Sequence, residues 1–181
     1  MDELPFHVVT GGPGSGKSSL IKALQAAGYP VAEEAGRAVI QGQAEIDGPA
    51  LPWSDPALFA ELMLAHDLRS YREAALSAFP TFFDRGIPDV IGYLRLTGLP
   101  VPTHMETAAR RFRYAGRVFV APHWPEIYRR DAERRQDPAE AERTYRAMCE
   151  TYPDFGYELV ELPRAPVEAR VRFVLETIQS G

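Results

Sequence analysis

Residues 11–18, GGPGSGKS, constrain the fold more than any other part of the sequence. They satisfy the pattern GxxxxGK[ST], follow a short β-rich run at residues 6–10, and precede apolar residues at helical spacing. Glycines at these positions let backbone N–H groups close around phosphate oxygens, and the dipole of the following helix attracts the same charge. The motif therefore predicts a phosphate-binding loop between a buried strand and a helix.

The residues of this loop are candidates for binding ATP together with Mg²⁺. Lys17 is expected to reach the β- and γ-phosphates, and the Ser18 hydroxyl is expected to ligate Mg²⁺. The predicted nucleotide-binding residues of the motif are Gly11, Gly12, Pro13, Gly14, Ser15, Gly16, Lys17, Ser18 and Ser19. ATP and Mg²⁺ are thus the predicted cofactors.

Four further short apolar runs alternate with helical patterns along the chain. They lie at residues 29–32, 79–83, 117–121 and 157–162. Such alternation indicates an α/β domain with a largely parallel sheet, and 181 residues fit one domain. We expect residues 1–181 to form a single domain, a five-stranded, mainly parallel sheet flanked by helices. Ser54 is predicted to cap one helix, and another helix is predicted over residues 102–114.

Composition and charge exclude several classes of protein. The net charge of −5 disfavours a general nucleic-acid binder. The longest stretch without a charged residue, residues 4–16, is much shorter than the about 20 apolar residues of a membrane-spanning helix. The acidic start differs from the basic start of a secretion signal, and the lone Cys149 cannot form an internal disulfide. A cytoplasmic protein is expected.

Charged side chains follow the predicted second and third strands, where parallel sheets bind ligands. Asp84 could hold a magnesium-bound water or accept a substrate proton, or it could cap the following helix. Arg85 could hold substrate or phosphate, or pair with Asp89 on the helix surface. Glu33 and Glu34 could supply a general base or favour a helix start. Of these two, Glu34 is the preferred candidate.

Arginines are concentrated in one part of this acidic chain. Ten arginines and six acidic residues lie between Arg110 and Arg146, so this segment carries +4 and the rest carries −9. Within it, residues 122–138 are flanked by prolines and hold Arg129, Arg130, Arg134 and Arg135. The segment is either a solvated helical face or a lid whose guanidinium groups contact phosphate. The lid interpretation assigns Arg130 to nucleotide binding and Arg134 to catalysis.

The ordered set of motifs resembles the AAA_28-type predicted ATPases, a P-loop family related to the ribosylnicotinamide kinase domain and, more distantly, to deoxynucleoside and nucleotide kinases. The resemblance rests on VVTGGPGSGKSSLI, EEAGRAVIQGQ, ALPWSDPALFAELML, FFDRGIPDVIGYL, RVFVAPHWPEIYRRDAERRQ and YELVELPRAPVEARVRFVL. It implies a three-layer P-loop NTPase fold, an acid–arginine pair matched by Asp84 and Arg85, and an arginine-bearing lid matched by Arg130 and Arg134.

Two functions are consistent with these features. The first is a small-molecule kinase that moves the γ-phosphoryl group of ATP to a hydroxyl of an unidentified acceptor. Its predicted catalytic residues are Lys17, Glu34, Asp84, Arg85 and Arg134, and its predicted metal ligands are Ser18 and Asp84. The second is a stand-alone ATPase or nucleotide-dependent switch that acts on a protein partner.

Overall fold

Five short strands form one parallel sheet in the computed structural model, which describes residues 5–77, 79–127 and 137–180. The strand order is β2-β3-β1-β4-β5, and every neighbouring pair is parallel. The strands are β1 (Phe6–Gly11), β2 (Val31–Ala32), β3 (Thr81–Asp84), β4 (Arg117–Ala121) and β5 (Glu158–Glu161). The predicted α/β class and parallel sheet are confirmed.

Helices cover both faces of the sheet. They are α1 (Lys17–Ala26), α2 (Ala35–Glu45), α3 (Pro56–Ala74), α4 (Ile87–Leu96), α5 (Thr103–Arg111), α6 (Pro138–Asp154) and α7 (Val167–Gln179), with a short 3-10 helix at Pro125–Ile127. None of these helices, within the described ranges, has both the length and the apolar character needed to cross a membrane.

The core lies in two clusters, one on each face, because side chains alternate along a strand. Val8 and Phe83 belong to the larger cluster, which is built with α2, α3, α4, α5 and α6. Their neighbours Val9 and Phe82 belong to the smaller cluster, built with α1 and α7. The result is the expected three-layer arrangement.

Two predicted helix boundaries are wrong. The cap of α3 is Asp55, whose Oδ1 accepts a hydrogen bond from the N–H of Leu58 at 3.0 Å, whereas the N–H of Ser54 belongs to the preceding turn. Helix α5 also ends at Arg111 and not at residue 114. Beyond its end, the rings of Phe112 and Tyr114 pack on Tyr71, with centroid distances of 5.4 and 5.5 Å.

Three strands are shorter than the sequence pattern predicts, and the third of them, β5, spans Glu158–Glu161 instead of residues 157–162. At the edge of the sheet, β2 spans only Val31–Ala32 and pairs with β3 alone. Strand β3 begins at Thr81, and Phe79, which the pattern includes in the strand, is 68% exposed. Apolar character therefore extends beyond the residues that pair in the sheet.

The carboxyl ends of β1, β3 and β4 lie side by side at one end of the sheet, where the phosphate-binding loop begins. Val9 is paired with Asp84, and Gly11 is paired with Ala121. Gly11 has a φ of 140°, and a Cβ atom there would lie 2.6 Å from the carbonyl oxygen of Ala121. A glycine is therefore required where the chain leaves β1.

Candidate active site

The predicted phosphate-binding loop joins β1 to α1. Gly14 and Gly16 adopt left-handed conformations with φ of 69° and 77°, which side chains disfavour. Ser15 is buried, and its hydroxyl donates to the carbonyl of Gly12 at 2.7 Å, bracing the loop internally. Helix α1 begins at Lys17 without a side-chain cap among the described residues. Its first N–H groups are therefore donors suited to phosphate oxygens.

Lys17 joins the loop to the ends of two neighbouring strands. Its side chain is buried, and its Nζ forms ion pairs with Asp84 at the end of β3 and with Glu34, 3.8 Å away, just after β2. The three residues are far apart in sequence, and the parallel sheet brings them together because its carboxyl ends lie side by side. Two carboxylates thus hold the only buried lysine among the described residues.

Arg85 extends this chain of charges. Its Nε lies 3.4 Å from Glu34 Oε1, and its Nη1 lies 3.1 Å from Asp89 Oδ1. The backbone of Arg85 has a φ of 71°, an uncommon conformation for a residue with a side chain. The pairing with Asp89 considered from the sequence is present, and so is a second ion pair that turns the guanidinium towards Glu34.

These contacts shift the pKa of both partners. Burial alone would raise the pKa of Glu34, but Lys17, Arg85 and Arg37 outweigh it and lower the pKa to about 2. Burial opposes the charge of Arg85, whereas Glu34, Asp89 and Asp84 raise its pKa above the ordinary value. Both groups are therefore charged at neutral pH.

Asp89 orients the guanidinium of Arg85, a role that the sequence analysis did not predict. It is 6% exposed, and it accepts hydrogen bonds from Thr10 Oγ1 at 2.5 Å, Tyr152 OH at 2.5 Å and the Gly86 N–H at 2.9 Å, besides its contact with Arg85. The only signal in the sequence was its position four residues after Arg85. Its side-chain partners Thr10 and Tyr152 come from β1 and α6, so periodicity could not identify them.

Four of the predicted catalytic residues therefore lie together: Lys17, Glu34, Asp84 and Arg85. Glu33 is exposed, so the geometry favours Glu34 of the two candidates. Asp84 does not cap α4, because the cap residue is Gly86 and its N–H is bound by Asp89. Arg130 and Arg134 lie outside the described residues, as does most of the predicted lid.

A cavity of about 270 Å³ opens beside this cluster, between α1 and α2. Glu34 and Asp84 contribute to its wall, together with Glu33 and Arg37. Another cavity, of about 480 Å³, lies between the end of β4, α6 and the loop after β5, and His123, Tyr145 and Arg164 line it. The first of these cavities, which Glu34 and Asp84 line, is therefore the one that adjoins the charged cluster.

Ser18 and Asp84 have the chemistry expected of magnesium ligands. Mg²⁺ prefers oxygen ligands and is commonly held by one or two protein groups together with substrate phosphates. Ser18 lies in the first turn of α1 and is partly exposed, while the side chain of Asp84 keeps 13% exposure despite its contact with Lys17. Both residues keep some solvent exposure and carry oxygen ligands, so they fit such an ion.

Solved structures with the same fold include several kinases. Deoxyadenosine kinase from M. mycoides, solved with the products dCMP and dCDP, has a TM-score of 0.70 at 12% identity over 97% of this chain and 100% of that chain. Shikimate kinase from Acinetobacter baumannii, solved with shikimate, has a TM-score of 0.54 at 12% identity over 98% and 94%. At these identities the likeness shows the fold alone.

A third similar structure is the NadR protein in complex with NR, with a TM-score of 0.71 at 16% identity. The alignment covers 97% of this chain and 50% of that chain, so NadR is about twice as long as the matched part. A search of curated proteins finds no match. The model of the AAA domain family AAA_28 matches residues 6–170, nearly the whole chain including the phosphate-binding loop and the charged cluster. The chain therefore belongs to the AAA_28 family of AAA domains.

Proposed function

We propose that this protein is a kinase that transfers the γ-phosphoryl group of ATP to a hydroxyl group of a small molecule. The observation that carries the proposal is the ion-paired cluster of Lys17, Glu34, Asp84 and Arg85 beside the phosphate-binding loop. Phosphoryl transfer depends on positioning and on charge stabilisation, and this cluster offers both signs of charge where the terminal phosphates would lie. The fold shared with deoxyadenosine kinase and shikimate kinase supports this choice.

The loop and Lys17 bind the phosphates in this proposal. Residues from Gly11 to Ser19, except Pro13, which has no N–H, supply backbone donors. Lys17 exchanges part of its contact with Asp84 and Glu34 for phosphate oxygens. Ser18 and Asp84 would hold Mg²⁺, which would supply positive charge to neutralise the phosphates. Arg85 stays oriented by Asp89 and contacts the acceptor or the transferring group.

Glu34 is the proposed general base. Its low pKa keeps it ionised, and Lys17 is one of the cations that lower this pKa. When Lys17 turns towards phosphate oxygens, Glu34 loses part of that stabilisation and its proton affinity rises. The carboxylate then accepts the proton of the acceptor hydroxyl more readily, so nucleotide binding prepares the base.

We further propose that residues 1–181 form a single domain. Within this domain, residues 122–138 are the lid. Arg130 is proposed to contact the nucleotide, and Arg134 to stabilise charge on the transferring group. The part of the segment that is described ends in the 3-10 helix Pro125–Ile127, and α6 begins at Pro138 with its cap at Asp137. We place the protein in the cytoplasm, with ATP and a small-molecule acceptor as its ligands.

The test is ATP consumption measured alone and with a panel of nucleosides and other hydroxyl compounds. A kinase is expected to consume ATP strongly with one class of compound and to yield a product whose mass is increased by one phosphoryl group. Glu34→Gln should remove this stimulation, whereas Glu33→Gln should keep it. Rapid ATP hydrolysis that no acceptor changes would instead support the stand-alone ATPase or switch.

A further inference from the structure

Arg170 of α7 is a buried cation that contacts the phosphate-binding loop. It is 5% exposed, although arginine is seldom buried without a specific reason. Its Nη1 donates to the carbonyl of Gly16 at 2.9 Å, and its Nε donates to the carbonyl of Ala165 at 3.1 Å. The guanidinium also lies 5.9 Å from the ring centroid of Trp124. The side chain therefore connects the loop, the start of α7 and the segment after β4.

The contact falls at the residue where the loop becomes α1. Gly16 has a left-handed backbone, and a Cβ atom there would lie 2.8 Å from Arg170 Nη1. The same Gly16 carbonyl accepts the first hydrogen bond of α1, from the N–H of Leu20 at 3.2 Å. Arg170 thus fixes the orientation of the peptide group that precedes Lys17, and with it the direction of the first N–H donors of the helix.

The charge of Arg170 has no carboxylate partner within ion-pair distance in the described part of the chain. Both of its hydrogen-bond acceptors are neutral carbonyls. Burial lowers its pKa, and the more distant Glu168 offsets this only in part. A buried charge without an opposite charge is unfavourable, and an anion placed nearby relieves the cost. Arg170 contacts Gly16, the residue before Lys17, so phosphates bound at the loop would be anions of this kind.

We propose that Arg170 is a positioning residue for nucleotide binding, holding the junction of Gly16 and Lys17 in its phosphate-binding conformation while bound phosphates balance its charge. The inference rests on the proposed function only as far as the loop binds a nucleotide, and it needs no acceptor. Arg170 acts through the backbone of Gly16 and not by touching the nucleotide. Its removal should therefore weaken the binding of any ligand with a phosphate chain.

The experiment compares the dissociation constants of ADP and of tripolyphosphate, which has no base or ribose, for the wild type and variants. Losing a charged hydrogen bond to the loop should weaken both ligands about tenfold or more in Arg170→Gln. Arg170→Lys keeps the charge but lacks the planar guanidinium that donates to the Ala165 and Gly16 carbonyls together, so it should recover only part of this loss and still bind both ligands more weakly than the wild type. It therefore provides a second variant if the glutamine protein does not fold.

Arg117→Gln is the matched control. Arg117 holds the opposite end of α7, because its Nη1 donates to the carbonyl of Thr177 at 3.2 Å. This variant should lower the melting temperature without changing either dissociation constant. Arg170 variants that lower the melting temperature but bind both ligands like the wild type would overturn the proposal and leave Arg170 as an anchor of α7. If the wild type itself bound neither ligand, the proposal would also fail.

Failure of the kinase proposal gives a different result. If no acceptor were phosphorylated but ADP and tripolyphosphate still bound, and still bound more weakly to Arg170→Gln, the role of Arg170 would stand while the kinase activity would not. Binding therefore tests this inference independently of catalysis.

Discussion

Arg85 adopts an uncommon backbone conformation, and this conformation places its guanidinium between two carboxylates. Its left-handed backbone is the kind of local strain that surrounding contacts must hold in place. Here the holding contacts are the ion pairs with Glu34 and Asp89 and the hydrogen bond from its N–H to the carbonyl of Val9 at 3.0 Å. The backbone and the guanidinium of Arg85 are thus both held in place, which suits a group that must contact a substrate in one orientation.

Asp84 provides a test of the site at this scale. Asp84→Asn removes the negative charge that is proposed to hold Mg²⁺, so turnover should fall by about 10² or more, a loss as large as that of a positioned acid or base. The fold should persist because Glu34 still pairs with Lys17. Turnover at saturating ATP is the measurement, and Asp154→Asn, which changes an exposed carboxylate, is the control. Normal turnover per molecule in Asp84→Asn would contradict its proposed role.

Glu34 should make the stability depend on pH in the acid range. Its pKa is lowered from 4.5 to about 2 in the folded protein, so its contribution to the free energy of unfolding is fully present above about pH 4.5. That contribution should be lost as the pH falls from 4.5 to about 2. Glu34→Gln should flatten this part of the curve of unfolding free energy against pH. Glu33 is an exposed neighbour, so Glu33→Gln should leave the curve as steep as in the wild type. Equal curves for the two variants would show that Glu34 does not cause this pH dependence.

At the scale of elements, Asp89 joins α4 to β1 and α6. Its carboxylate occupies the first turn of α4, where it caps the helix through the Gly86 N–H, and it binds Thr10 of β1 and Tyr152 of α6. One buried group therefore sets how three elements meet behind the site.

Replacing Asp89 should disturb both stability and activity. Asp89→Asn puts an amide among donors and removes the charge that faces Arg85, so we expect a loss of about 3 kcal/mol of unfolding free energy together with reduced turnover. Tyr152→Phe removes a single donor and should cost about 1 kcal/mol. Denaturant unfolding measures both. If the Asp89→Asn protein were no less stable than the Tyr152→Phe protein, the other contacts of Asp89 would contribute little to stability.

The proposed lid gives a second prediction at this scale. Arg134→Ala should reduce the rate of phosphoryl transfer far more than the affinity for ATP, because its contact is proposed to form in the transition state. Arg143→Ala, which changes an exposed arginine of α6, is the control and should behave like the wild type. Separate measurements of turnover and ATP affinity decide the matter. A normal rate in Arg134→Ala would leave the segment as a solvated turn.

At the scale of the whole molecule, nucleotide binding should stabilise the entire fold, because the loop contacts both layers of helices. Mg·ADP at about 100 times its dissociation constant should add roughly 2.7 kcal/mol to the free energy of unfolding. Lys17→Ala should lose most of this gain. It should also lower the stability of the free protein, since Asp84 and Glu34 are left without their shared cation.

Lys22→Ala is the control, because Lys22 is the other lysine of the chain and is exposed on the same helix. It should keep the full nucleotide-induced increase in melting temperature. The same full increase in Lys17→Ala would mean that the loop does not bind the nucleotide as proposed.

The sequence alone determined the phosphate-binding loop and the class of fold. Residues 11–18 are contiguous, so their glycine spacing, lysine and flanking strand and helix patterns could be read without a structure. The approximate positions of the strands followed from apolar runs, and Asp84, Arg85 and Glu34 followed from the rule that ligands bind at the carboxyl ends of parallel strands. Helix caps and the exact ends of strands were less accessible, because neighbouring residues such as Ser54 and Asp55 offer nearly the same chemistry.

Only the tertiary structure decided which charged groups work together. The choice of Glu34 over Glu33 depends on which carboxylate turns towards Lys17, and the role of Asp89 depends on donors 79 residues before it and 63 residues after it. Arg170 meets Gly16 across 154 residues of chain. Local periodicity carries no information about such contacts, because they arise from the order of strands in the sheet and from the packing of helices against its two faces.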